Sequence, residues 1–416
     1  MERLPGFRDF YPEPLPHPDV WSADARQYIF DQWRTVARRY GFREYDGPPL
    51  EPLELFTTKS GEEIVGQLFD FVDKGKRHVS LRPEMTPTLA RMVAAHERNY
   101  KKPIKWFAIP QLFRYEKQQK GRLREHFQFN ADLMGETDPA ADAELIALLI
   151  DTLRAFGLTA EDFVIRLSSR NAWQEFFESG SQKTEGENQS AYEFFQIIDK
   201  LERTLPAESE QKLSALGFSL AAVNEFIATG KPTAELQSIL NNLAARGLKE
   251  FVKVDYLVIR GLAYYTGVVF EAFDRKGEFR AIAGGGRYNN LVKLISGGKV
   301  DLAALGFGMG DVVLLELLKA RGLLPKFDST MDVFVLIEDE ALRPISLKLI
   351  QDLRVAGFAV DYPLTPTKAD KQFKRATELK VAHTVRAESD AYVRIRKLKT
   401  REEVVAGFAD VANHLG

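Results

Sequence analysis

Apolar positions along the chain alternate between helical and strand periods, and the switches mark its elements. From Asp19 to Tyr40, the residues Val20, Ile29, Trp33, Val36 and Ala37 recur at helical intervals and Gly41 follows as a stop, which predicts a helix leading into a strand. Asp142 to Phe156 is apolar nearly all round, as a buried helix should be, with Gly157 placed as its C-cap. Between these helices HVSLRPE, IKWFAIPQLFRYE and HFQFNADLMG carry alternating or aromatic runs that predict strands. After Arg170 the polar run SGSQKTEGENQS gives way to SAYEFFQIIDKLERTL and TAELQSILNNLAARG, which read as helices inserted into the strand-rich region. Strand character resumes at KVDYLVI, GVVFEAFD and FRAIAGG, and DVVLLELLKARG closes the region as a helix.

Pro325 and its polar neighbours in GLLPKFDST interrupt the pattern as a linker. Beyond it come strand MDVFVLI, helix LKLIQDLRVAG, strand FAVDYPL, helix KADKQFKRATELK, strands AHTVRA and AYVRIRKL, and a final helix. That order predicts a small α/β domain with a mixed sheet. The expected division is residues 1–169 with 251–324 as one domain, 170–250 as a helical insertion, and 329–416 as the C-terminal domain.

Composition narrows the class. A chain of 416 residues exceeds one ordinary core, and 45% hydrophobic with 28% charged residues is globular composition. The net charge of -2 excludes a strong overall pull on polyanions, so any nucleic-acid site must be a local patch. With no Cys there is no disulfide framework, thiolate zinc site or cysteine nucleophile, and the six His show no metal-ligand spacing. The start MERLPGFRDFYPEP has no apolar signal core and no run is long enough to cross a membrane, so a cytoplasmic protein without a membrane partner is expected.

The first chemically informative stretch is FRYEKQQKGRLREHFQFNADLMG. Arg114 follows an apolar run that can hold its planar guanidinium at a fixed angle, suited to a phosphate or carboxylate. Lys117, Lys120, Arg122 and Arg124 gather around Gly121 as a cationic hairpin loop, which fits a polyanion contact or simply a solvated turn. Glycines 306, 308 and 310 permit close backbone approach at a helix entry, or close helix packing.

The stretch resembles motif 2 of the class II aminoacyl-tRNA synthetases, and YGFREYDGPPLE resembles motif 1, the dimer-interface element ending at a proline, here Pro49. VIRGLAYYTGVVFE and AIAGGGRYNNLV, taken together, resemble the paired signatures of the histidyl-tRNA synthetase family. The resemblance spans nearly the whole chain. It implies an α+β catalytic domain with an antiparallel sheet, a helical insertion and a C-terminal α/β anticodon-binding domain, assembled as a homodimer. The implied reaction joins L-histidine to ATP as an adenylate, with Mg2+ on the phosphates, then passes histidine to tRNA(His).

The resemblance also assigns residues. Arg114 and Arg260 meet the α-phosphate, where negative charge accumulates as two anions react. Arg114, Glu116, Arg122, Gly308 and Gly310 hold ATP. Glu84, Thr86 and Gln128 hold the amino group of histidine, Asp132 and Tyr265 face its imidazole, and Tyr264 lies beside them. Lys117, Gln119 and Lys120 approach the acceptor end of the tRNA, and RIRKLKTR offers a basic surface in the anticodon domain.

Several positions depart from the commoner family form. Val312 and Val313 stand where motif 3 usually has Glu-Arg, whose arginine binds the terminal phosphate; Ala263 replaces an aspartate; Met85 replaces a glycine; and His126 precedes Phe127 in inverted order. These resemble a branch that includes plant organellar and some bacterial enzymes. The missing arginine suits a non-charging paralogue, such as a regulatory subunit of ATP phosphoribosyltransferase. Arg114, Arg260, Glu84, Gln128 and the C-terminal domain instead suit the synthetase.

Overall fold

The computed structural model describes residues 2–17, 19–57, 65–116, 123–180, 187–259, 264–327 and 331–415. The chain divides into two compact units: Met1–Phe10 with Asp19–Leu324, and Tyr11–Pro18 with Pro325–Gly416.

The first unit is built on a nine-stranded sheet. Its centre is antiparallel: strand Glu125–Met134 pairs with Ala304–Gly310 on one side and Ile104–Ala108 on the other, and Ala304–Gly310 continues through Ala283–Arg287 and Val268–Asp274 to Phe163–Ser169. The outer pairs, Arg43–Glu44 on Ile104–Ala108 and Val252–Val254 on Phe163–Ser169, are parallel. A separate three-stranded sheet joins Leu50–Pro52, His78–Leu81 and Phe69–Val72.

Helix Ala23–Arg39 starts where the Ser22 hydroxyl accepts the Ala25 N–H at 3.1 Å. Its buried stripe carries Trp33, which is wholly covered and stacks on Phe129 of the central strand with ring centroids 5.6 Å apart. Helix Ala140–Arg154 is buried nearly all round, and Gly157 takes φ 87°, a left-handed value that an L side chain resists. The predicted strand IKWFAIPQLFRYE is divided: Pro110 has no N–H for the ladder, so Ile104–Ala108 and Gln111–Phe113 pair separately with the same partner. Of KVDYLVI only Lys253 and Val254 are strand, at the end of the element Val252–Val254.

Over residues 170–245, helices Arg170–Gly180, Glu187–Asp199, Pro206–Ala215, Leu220–Thr229 and Ala234–Ala245 gather around Trp173, Phe177, Phe194 and Val223. No single helix among the described residues is long and apolar enough to cross a membrane.

The second unit has a five-stranded sheet ordered Val360–Asp361, Val333–Leu336, His383–Ala387, Tyr392–Lys397, Glu403–Gly407. The first two pairings are parallel and the last two antiparallel, a mixed sheet. The expected final helix is corrected here. Glu403–Gly407 is a strand, because Val404 and Val405 extend along Tyr392–Lys397, and only the short 3-10 segment Phe408–His414 follows.

Candidate active site

Strand Glu125–Met134 shows how sequence becomes site. Side chains alternate across a strand, so one face takes Phe129, Ala131 and Leu133 into the core while His126, Gln128, Asn130 and Asp132 line a cavity of about 620 Å³. The neighbouring strand makes room for them. Gly306 lies opposite Asp132, and a Cβ there would collide with the Asp132 carboxylate; a Cβ on Gly308 would come within 2.6 Å of Gln128 Cδ. Gly308 and Gly310, expected beside the nucleotide, do line the cavity, and Gly308 has the further task of clearing space for Gln128.

The cavity collects residues distant in sequence. Glu84, Thr86, Arg114, Glu116, Gln128, Asp132, Tyr264 and Tyr265 all line it. Lys117, Gln119, Lys120, Arg122 and Arg260 lie outside the described residues.

Two buried carboxyls on its wall are held by tyrosines. Tyr264 donates its hydroxyl to Glu84 Oε2 at 2.6 Å, which places it in support of Glu84. Tyr288 donates to Asp132 Oδ1 at 2.5 Å. Burial pushes the Asp132 carboxyl up to about 7, against the downward pull of the Tyr288 hydrogen bond. Burial first, and then the neighbouring acid, drives both tyrosine hydroxyls well above their ordinary range, so each remains a neutral donor. The Tyr45 hydroxyl is buried near the same carboxyl and has no hydrogen-bond partner among the described residues.

Arg114 sits where strand Gln111–Phe113 ends. Its Nε donates to the Pro83 carbonyl at 3.0 Å, beside Glu84, and its backbone N–H closes the hairpin neck on the Arg124 carbonyl at 2.9 Å. His126 also lines the cavity, but burial, Arg114 and Arg8 lower its pKa to about 3, so the ring is neutral at physiological pH. The acids on the described lining are Glu84, Glu116, Asp132, Glu202 and Glu271; the guanidiniums are Arg114 and Arg280.

Behind the wall is a hub that sequence reasoning did not anticipate. Arg8 is buried, donating to Glu125 at 2.7 Å and to Asp311 at 2.7 Å, and Asp311 also accepts the Phe127 N–H at 2.9 Å. Burial lowers the Arg8 pKa, yet Asp311 and Glu125 outweigh it and the net shift is upward. The hub locks the strand carrying Gln128 to the helix that begins at Asp311. Arg287 of the GGGR segment forms a second tie, to buried Asp142 and to the Glu136 and Asp138 carbonyls.

Tyr288, Glu271 and Arg280 were missed as site residues. Tyr288 stood inside the quoted AIAGGGRYNNLV segment, two residues beyond the last glycine, Glu271 closed the quoted VIRGLAYYTGVVFE and Arg280 lay in FRAIAGG, and their places in those segments were the available signal.

A profile of the family described as histidyl-tRNA synthetase matches residues 18–310. A histidine-tRNA ligase from Opitutus terrae is 46% identical, with 97% of this chain and 95% of that protein covered. The chloroplastic/mitochondrial histidine-tRNA ligase of Arabidopsis thaliana is 36% identical, covering 98% of this chain and 85% of its own. In fold, the chain is similar to the crystal structure of a histidyl-tRNA synthetase from Nostoc sp. PCC 7120, with TM-score 0.75, 23% identity and 97% of each chain covered.

Proposed function

The chain belongs to the histidyl-tRNA synthetase family, and on that premise we infer that it is an aminoacyl-tRNA ligase that activates histidine with ATP and transfers it to tRNA(His). A carboxylate oxygen of histidine attacks the α-phosphorus, the bond between the α-phosphorus and the bridging oxygen breaks, and its electron pair leaves with pyrophosphate. The 3′-terminal ribose hydroxyl of the tRNA then attacks the histidyl carbonyl, and AMP leaves.

The observation that carries this reading is the pair of tyrosine-held carboxyls in the cavity that also contains Arg114. The buried Glu84 carboxylate, with Thr86 and Gln128, suits an ammonium group. Asp132 and Tyr265 suit the two nitrogens of an imidazole, one as acceptor and the other as donor. Arg114 offers a guanidinium to the α-phosphate, and Arg260 is proposed beside it from the family signature. Gly308, Gly310, Glu116 and Arg122 are assigned to the nucleotide, and Lys117, Gln119 and Lys120 to the tRNA acceptor end.

No group of three or more potential ligands that could hold a metal occurs among the described residues. Mg2+ would fit as a companion of ATP, with Glu116 and Glu271 as the hard oxygen donors on the cavity wall that could hold it. When bound, it neutralises phosphate charge.

The C-terminal unit is assigned to the anticodon. Its basic strand is less available than its composition implied, because Arg394 is paired with Glu388 and Glu403. Arg396 stands with its guanidinium carbon 5.3 Å from the Phe373 ring centroid, and exposed Tyr392 begins the same strand, which suits base stacking. A homodimer through the motif 1 segment is consistent with exposed Leu50, Phe71 and Val72 on the small sheet, and we place the enzyme in the cytoplasm.

Charging of tRNA(His) with labelled histidine tests the reading. The purified chain should charge it in an ATP-dependent manner and leave other amino acids unattached. Stable histidine binding with no charging under any divalent-ion condition sinks it.

A further inference from the structure

We infer that Arg280 binds the outer phosphates of ATP. This rests on the proposed function only in taking ATP to be the nucleotide. The argument begins with charge. Five acids and two guanidiniums line the described cavity, and His126 adds no positive charge because its ring stays neutral. A triphosphate among those acids gains from each further cation that meets its oxygens. Arg114 is anchored on the Pro83 carbonyl beside Glu84.

Arg280 lines the same cavity from the segment that leads into strand Ala283–Arg287. Gly284 lies opposite Gly308 and Ala283 opposite Met309, while the Ile282 N–H still bonds the Ala272 carbonyl at 2.8 Å. Arg280 stands three residues before that pairing begins, and Val312 stands just after strand Ala304–Gly310 gives way to the helix at Asp311. Both line the cavity, as does Val313. The helix entry at Asp311 thus presents two valines where a phosphate-binding cation would be useful, and the adjoining strand supplies the guanidinium from its approach segment.

The chemistry fits a planar, permanently charged donor. As the α–β bridge breaks, the electron pair settles on pyrophosphate, and the fork of N–H groups can meet two of its oxygens together. No proton changes hands.

Calorimetric titration of Mg2+–ATP and of AMP separates this contact from the rest of the site. Arg280→Ala should lose roughly 10- to 100-fold affinity for ATP and keep the parent affinity for AMP, because one charge-assisted contact is removed. Adding Val313→Arg to that variant should recover much of the ATP affinity. An unchanged ratio of ATP to AMP affinity, or an equal loss toward both nucleotides, overturns the assignment. Failure of the parent to charge tRNA(His) would refute the proposed function while leaving this ratio as an independent reading of Arg280.

Discussion

Buried acids on the two sides of the cavity wall are handled in opposite ways. Behind it, Glu125 and Asp311 are gripped by Arg8, and Asp142 by Arg287. On the cavity side, Glu84 and Asp132 receive tyrosine hydroxyls, and Asp132 has no ion-pair partner among the described residues. An acid satisfied by an internal guanidinium has little left to offer a ligand. An acid steadied by a neutral donor keeps its affinity for an incoming ammonium or imidazole N–H, at the cost of burying a carboxyl that resists ionisation. The first arrangement fixes the frame, and at Asp132 the second leaves a carboxyl that no guanidinium of the described residues has claimed.

The sharpest way to break this contrast is to remove the clamp. Arg8→Met leaves Glu125 and Asp311 buried without their cation and should cost about 3–5 kcal/mol of stability, read as a lowered urea midpoint. A midpoint equal to the parent's would show that the hub contributes no net stability. Glu84→Gln should behave differently, with a small change in the midpoint but a loss of about 2–4 kcal/mol in histidine binding as the ammonium loses its charged partner. Histidine affinity at the parent level in that variant would remove Glu84 from the site.

Asp132 sharpens the contrast through pH. Its folded-state value of about 7 lies above the ordinary 3.8, so the folded chain holds a proton that the unfolded chain has released across that interval. The contribution is fully present below the unfolded value and is lost as pH rises toward about 7. Asp132→Asn has no such proton, so its stability relative to the parent should improve by about 2 kcal/mol between about pH 5 and about pH 7. A pH-independent difference would mean that Asp132 ionises as an ordinary surface acid does. The smallest effect is expected from Tyr264→Phe, which deletes one hydrogen bond to Glu84 and should weaken histidine binding by about 1 kcal/mol.

The same contrast explains what could be read from the sequence. The cavity-side acids Glu84 and Asp132 lie in HVSLRPE and HFQFNADLMG, and the alternation in the second already separates Gln128 and Asp132 from Phe129 and Ala131. The helices between residues 170 and 245, the C-terminal strand-helix alternation and the glycine-rich strand were legible for similar reasons of period and composition. The clamps were not, because Arg8 meets partners 117 and 303 residues away, and a lone arginine near the N-terminus has no local pattern. Arg280 was hidden too. FRAIAGG reads as one strand, yet pairing begins at Ala283 and leaves Arg280 on the approach segment, where only the folded cavity shows it as a lining residue. The strand Glu403–Gly407 was missed because a short polar-flanked run of valines depends on its neighbour for extended structure.

The claim that tyrosine-held acids are reserved for the substrate is tested most directly by comparing L-histidine with its des-amino analogue, imidazolepropionate, by titration calorimetry on the parent and on Glu84→Gln. The parent should strongly prefer histidine, and the variant should lose most of that preference while binding the analogue as the parent does. An undiminished preference for histidine in the variant would contradict the account.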